Sequence, residues 1–234
     1  MLDNKRIVII GGSSGIGLSL SEHLLAEGSE VVIASRSPEK LLAAKKKLND
    51  EVSTYELDAS DEKSVVNFYS DIGSFDHLVI TIKPDHLVSA FSESSVVDAK
   101  QAFDSKFWGQ YNLVRHSLKN ISVSGSIILT SGIASARSYK GFSGTAAING
   151  AIESLVKSLS GEISPIRINA VSPGFIERNG DDQDRLNAVK ALGARPSIDR
   201  LGTPKEVAEA YLYLLKNEYS TGSVLILDGG ELCV

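Results

Sequence analysis

The sequence predicts a doubly wound α/β fold: a seven-stranded parallel sheet of the Rossmann type, in three αβα layers. Three observations predict it. Short apolar, β-branched runs alternate with helix-like segments along all 234 residues. A glycine cluster occupies the first strand-to-helix turn. Helix-start signals stand where the alternation needs them, with Pro38 and Pro204 at first-turn positions and Thr203 just before the second.

The first run, Ile7–Ile10, ends abruptly in glycines at 11, 12, 15 and 17. Leu18, Leu20, Leu24 and Leu25 then set an amphipathic pattern, predicting a helix over about 15–27. Val31–Ala34 leads to a helix at about 38–49, and Val52–Leu57 to one at about 61–72. His77–Ile82 precedes a long helix over about 97–119, and Ser126–Ser131 one over about 144–161. Arg167–Val171 opens a loop-rich stretch and a helix at about 204–217, and Val224–Leu227 closes the series. Strands alternating with helices are βαβ units, whose crossovers are right-handed. No internal repeat or linker interrupts them, so 1–234 reads as one dinucleotide-binding domain.

Bulk properties exclude several function classes. Hydrophobic content of 42% with 23% charged residues is ordinary for a globular chain. A formal charge of −5 supplies no basic surface for a phosphate backbone, so no nucleic-acid partner is expected. The apolar runs are strand-sized, far below the ~20 residues of a membrane span, and no secretory signal is visible. The single cysteine, Cys233, allows no intramolecular disulfide and supplies no metal cluster; the expected compartment is the cytoplasm.

Ligands of such a sheet bind outside the carboxyl ends of its strands, where the strand order reverses. The glycine turn leaves backbone exposed at a helix N-terminus, a place suited to a diphosphate. After the second strand, Ser35 stands where an acid selecting NAD would be, and Arg36 follows it. A guanidinium binds a 2′-phosphate bidentately, so NADP(H) is the expected cofactor, with hydroxyl contacts from Ser13 and Ser14. Asp58 follows the third strand, where it can serve the adenine amino group or shape the turn; Asp61 fits the helix N-cap better.

At these residues the chain resembles the short-chain dehydrogenase/reductases, and the resemblance covers nearly all of it. Gly11-x-x-x-Gly15-x-Gly17 matches the family's glycine motif, with Ile10 in place of its usual threonine. Asp58 matches the family's acidic residue, and Ile168-Asn-Ala-Val-Ser-Pro-Gly174 its stretch beside the nicotinamide. Leu201-Gly-Thr-Pro-Lys-Glu-Val-Ala208 and Thr221-Gly…Leu227-Asp-Gly-Gly230 match its last helix and strand. The implied cofactor set is Gly11, Ser13, Ser14, Gly15, Ile16, Gly17, Ser35, Arg36, Asp58, Pro173, Gly174 and Ile176.

The catalytic end departs from the pattern. The family uses a Ser, a Tyr and a Lys, with an Asn from the long helix. Ser131 matches the serine, but Thr145 occupies the Tyr position and Asn149 the Lys position. Lys106 stands where Asn is expected, and Ile80-Thr-Ile-Lys83 replaces Asn-Asn-Ala-Gly. Two of these changes are reciprocal. They predict that Lys106 places its ammonium near the vacated lysine site, with Asn149 accepting from it. Thr145 is too weak an acid to replace a phenol; Tyr139, in the loop 135–142, and His86 are further candidate proton donors.

The resemblance implies an NADP(H)-dependent oxidoreductase of a small-molecule carbonyl or alcohol. A catalytically silent NADP(H)-binding redox sensor or assembly subunit is the alternative, and a lyase or isomerase a weaker one. It also implies a homodimer or homotetramer through the helices at 97–119 and 144–161, and a substrate lid over about 175–201. That segment is polar and charged, with Glu177, Arg178, Asp181, Asp182, Asp184, Arg185, Lys190 and Arg195.

Overall fold

A computed structural model describes residues 2–84, 88–178 and 183–233. Seven strands, β1 (Arg6–Ile10), β2 (Glu30–Ser35), β3 (Val52–Glu56), β4 (Phe75–Ile80), β5 (Ile121–Thr130), β6 (Arg167–Pro173) and β7 (Val224–Leu227), form one sheet. Its order is β3-β2-β1-β4-β5-β6-β7, and every pairing is parallel. The order reverses between β1 and β4, where Ile7 pairs with His77 and Ile10 with Ile80.

Period-two alternation explains the two apolar layers. Val8 and Ile10 point into one core with Leu78, Ile80, Leu129 and Ile152. Ile7 and Ile9 point into the other with Leu20, Leu24, Val207 and Tyr211. Both faces being covered, the central strands are apolar throughout. The first layer is built from α3 (Glu62–Ile72), α4 (Val96–Phe103), α5 (Gly109–Ser117) and α6 (Ser143–Glu162); the second from α1 (Gly15–Ala26), α2 (Pro38–Lys47) and α8 (Pro204–Lys216). Each fully buried Leu or Ile contributes about 1.5–3 kcal/mol.

Helix starts follow their caps. The Ser37 side chain accepts from Lys40 N with Pro38 in the first turn, Asp61 accepts from Lys63 N, and Thr203 and Glu206 form a reciprocal capping box ahead of α8.

The larger departures from expectation are four. β4 ends at Ile80 rather than at residue 82, because β1 ends opposite it and Thr81 N closes the ladder on Ile10 O. β5 begins at Ile121, five residues before the expected Ser126, where Phe75 pairs with Ile121 across a register shift. The helix expected over 97–119 is divided into α4 and α5 by a π-helical turn, Asp104–Trp108. The stretch expected to be irregular after β6 contains α7 (Gln183–Ala191), which buries only Leu186 and Val189, too thin an apolar stripe to show as periodicity.

Over the carboxyl edge, a third small core joins Ile133, Ala134, Tyr139, Leu186, Val189, Ala194 and Leu201, with Phe142 and Phe175 packed against it. It walls one end of the cleft described next.

Candidate active site

A cleft of ≈ 740 Å³ opens at the carboxyl edge of the sheet, floored by the ends of β1 and β4. The glycine turn forms one wall, and its geometry requires glycine. Gly11 has φ +86°, and a Cβ on Gly17 would lie 2.5 Å from Gly11 O and 2.7 Å from Thr81 Oγ1. Thr81 Oγ1 donates to Ile10 O at 3.0 Å and so packs the turn against β4. A Cβ added at Gly15 would meet nothing within 4 Å, so this backbone faces open space. Ser14 precedes α1 in extended conformation with no side-chain cap, and the first turn holds no acid. Its amides and the helix dipole therefore face the cleft, which Ser13, Ser14, Gly15 and Ile16 line. That cradle fits a diphosphate.

The adenosine end lies after β2. Among the described residues, Ser35 Oγ is the buried side-chain polar atom without a hydrogen-bond partner, which suits a ligand's polar group there. Arg36 is exposed on the cleft wall. Lys40, in the first turn of α2, lines the same cleft. Sequence reading passed over Lys40; its spacing of four from Arg36, across a capped helix start, was the available signal. Asp58 also lines the cleft, while its Oδ1 accepts from Ser60 N at 3.0 Å and Ser60 Oγ at 2.7 Å. It therefore shapes the turn into α3 as well as facing the ligand space.

At the other end the structure brings Ser131, Lys106, Asn149 and Thr145 into one cleft wall. Lys106, in the π-helical turn, is only 5% exposed. Its Nζ donates to Ser131 O at 2.9 Å and to Asn149 Oδ1 at 2.8 Å. Asn149 Nδ2 donates in turn to Gly132 O at 3.0 Å. The expected contact between the exchanged residues is present. Burial pulls the Lys106 ammonium down to about 7, a fall that Glu153 on α6 opposes. A π turn adds a residue to the helical repeat and re-aims side chains, and such turns often sit at functional sites.

Ser131 is held by backbone. Its N donates to Val171 O at 2.9 Å, and its Oγ makes only a long 3.4 Å contact to the same oxygen. One residue earlier, the buried Gln110 side chain brackets Thr130, donating to its O at 3.2 Å and accepting from its N at 3.0 Å. Thr130 Oγ1 also meets Tyr211 OH at 2.5 Å. These contacts fix the end of β5 and thereby the serine.

Tyr139 lines the cleft, and its ring meets Phe142 and Phe175 edge-on. Its hydroxyl donates to Glu231 Oε1 at 3.0 Å, and burial together with that carboxylate raises its pKa. Glu231 is fully buried, also accepting from Arg195 N at 2.6 Å and pairing with Arg137 at 3.0 Å. Sequence reading missed both Glu231 and Gln110, whose partners lie far along the chain. His86, Asp181 and Asp182 lie outside the described residues.

Pro173, Gly174 and Ile176 line the cleft at the end of β6. Gly174 N donates to Leu227 O at 2.9 Å, and a Cβ on Gly174 would lie 2.8 Å from Asp228 Cα. Ile176 bridges to Gly202, which ties the 175–201 segment down at both ends. The cleft is lined by cationic Arg36, Lys40, Lys83, Lys106, Arg178 and Arg185 against acidic Asp58 and Glu177. In a chain of net charge −5, that local excess favours an anionic ligand. Among the described residues no group of three His, Cys, Asp or Glu is placed to hold a metal, and no helix is long and apolar enough to cross a membrane.

The family model described as enoyl-(acyl carrier protein) reductase matches residues 11–231. A short-chain dehydrogenase/reductase of Stachybotrys chlorohalonatus is 32% identical, covering 97% of this chain and 96% of its own length. A 3-oxoacyl-[acyl-carrier-protein] reductase of Chlamydia muridarum is 31% identical over 98% of both chains. Among solved structures, a small-chain dehydrogenase in complex with NADPH is 34% identical with a TM-score of 0.83, covering 99% of this chain and 100% of that one. A short-chain oxidoreductase of Pseudomonas aeruginosa PAO1 containing an atypical catalytic center is 26% identical with a TM-score of 0.87, covering 97% and 96%.

Proposed function

The chain belongs to the short-chain dehydrogenase/reductase family, and from that premise we propose an NADP(H)-dependent oxidoreductase of a small-molecule carbonyl or alcohol, with an atypical catalytic site. The Tyr-x-x-x-Lys pair is replaced by Thr145 and Asn149, and Lys106 supplies the cation. The observation that carries this reading is the 2.8 Å contact from Lys106 Nζ to Asn149 Oδ1 inside the cleft. A chain that had merely lost catalysis has no need to bury an ammonium there, since burial without compensation is costly.

The amides at 13–17 hold the diphosphate, while Ser35, Arg36 and Lys40 take the 2′-phosphate. Asp58 faces the adenine, and Pro173, Gly174 and Ile176 flank the nicotinamide. NADPH bound in the 34% identical structure supports this choice of cofactor. A nicotinamide held in this cleft supplies a hydride. Ser131 polarises the substrate oxygen, and Lys106 stabilises negative charge there. The chain acts as one domain with 175–201 as its lid. Exposed Val96, Val97 and Trp108 on and beside α4 support a homodimer or homotetramer through this face.

The test is NADPH oxidation across a panel of aldehydes, ketones and quinones, comparing wild type with Ser131→Ala and Lys106→Ala. Turnover by wild type and its loss in both variants are expected. Turnover unaffected by either substitution refutes the site, and tight NADPH binding without turnover marks a redox sensor or assembly subunit instead.

A further inference from the structure

We propose that Lys106 is the proton donor of carbonyl reduction, replacing the family's tyrosine as the acid as well as its lysine as the cation; this rests on the oxidoreductase reading above. Three placements carry it. The ammonium is buried, lines the cleft, and donates to the backbone O of Ser131, the residue assigned above to polarise the substrate oxygen. An ammonium has three hydrogens, and the protein takes two, through Ser131 O and Asn149 Oδ1. Neither of the candidate hydroxyl donors, Tyr139 and Thr145, serves. Tyr139 already donates its proton to Glu231, and burial beside that carboxylate raises its pKa. Thr145 is an aliphatic alcohol, far too weak an acid.

The step balances. A hydride from the reduced nicotinamide forms the new C–H bond at the carbonyl carbon, and the C=O π pair moves to oxygen. That oxygen takes a proton from Lys106, breaking N–H and forming O–H. The carbonyl is reduced to an alcohol, the nicotinamide is oxidised, and the neutral amine regains its proton from water. A general acid works best with a pKa near the operating pH, and burial brings Lys106 to about 7. Among the described residues, the groups facing it are few. Glu153 on α6 opposes the fall, β5 ends in uncharged Thr130 with uncharged Ser131 and Gly132 after it, and Lys83 lines the same cleft after β4.

Two measurements on the intact protein test this. In isotope-labelled lysine NMR, the Nζ signal lost in Lys106→Arg is expected to titrate near 7. A signal that stays charged above about pH 9 overturns the proposal. In NADPH turnover with phenanthrenequinone, menadione or nitrobenzaldehyde, wild-type kcat is expected to fall as pH rises through the same midpoint. Lys106→Arg keeps the charge but is a far weaker acid, so kcat falls about 100-fold or more while NADPH titration shows binding retained. Wild-type kcat and pH profile in Lys106→Arg overturn the donor role alone. A wild type that binds NADPH and turns over none of the three overturns the oxidoreductase reading with it.

Discussion

Lys106 and Asn149 stand on neighbouring helical segments, 43 residues apart in sequence, with Nζ 2.8 Å from Oδ1. On the reading proposed above, each occupies the position at which the family pattern places the other's residue type. The pair keeps a cation beside Ser131 while delivering it from a π turn rather than from α6. Exchanging the ends of one contact preserves its electrostatics and changes which backbone carries the charge.

Stability should report the buried ammonium independently of catalysis. Lys106 falls from 10.5 to about 7 on folding, so between those values the unfolded chain holds a proton that the native one lacks. Stability attributable to this residue therefore rises with pH over that window, by about 1.4 kcal/mol per unit. Denaturant unfolding of wild type and Lys106→Met at about pH 7 and pH 9 should differ by roughly 2–3 kcal/mol in that sense. A difference that does not change with pH would mean that the amine is charged throughout.

Cofactor choice should depend on Arg36. Replacing it by Ala removes charge-assisted bonds to the 2′-phosphate, each about 1.5–3 kcal/mol, so NADPH affinity should fall roughly tenfold to a hundredfold. NADH affinity should hold. Parallel fluorescence titrations with both nucleotides check this, and an unchanged preference would place the 2′-phosphate elsewhere.

The glycine turn should tolerate no methyl at Gly17. The Cβ of Gly17→Ala meets Gly11 O at 2.5 Å, a backbone atom unable to swing aside. The substitution should cost about 1–3 kcal/mol and abolish nucleotide binding. Urea unfolding and NADPH titration measure the two effects separately.

Glu231 joins three loops at the substrate end, accepting from Tyr139 and Arg195 N and pairing with Arg137. Glu231→Ala leaves those donors facing a void, with an expected loss of about 3 kcal/mol by chemical denaturation. A loss below about 0.5 kcal/mol would show that the loops are held by their apolar core alone.

How much of this was legible in sequence depended on range. The glycine turn, the order of the seven strands, the Asp61 cap and the Thr203–Pro204 start are local signals that the structure bears out, although β4 and β5 are shifted from their expected bounds. The Lys106–Asn149 contact was legible because two substitutions against one motif were reciprocal. Tyr139–Glu231 spans 92 residues and Gln110–Thr130 spans 20, and no local periodicity encodes either. The π turn was hidden for another reason. Phe103, Phe107 and Trp108 keep an apolar pattern across it, so the periodicity reads as one unbroken helix.

Hydride transfer to a carbonyl carbon is tracked most directly by deuterium. NADPH deuterated at the nicotinamide C4 is incubated with the carbonyl panel, and the alcohol products are analysed by mass spectrometry. Deuterium on the carbinol carbon is expected with wild type, and its loss with Lys106→Ala. NADPH that binds tightly yet transfers no deuterium to any panel member would contradict the oxidoreductase reading.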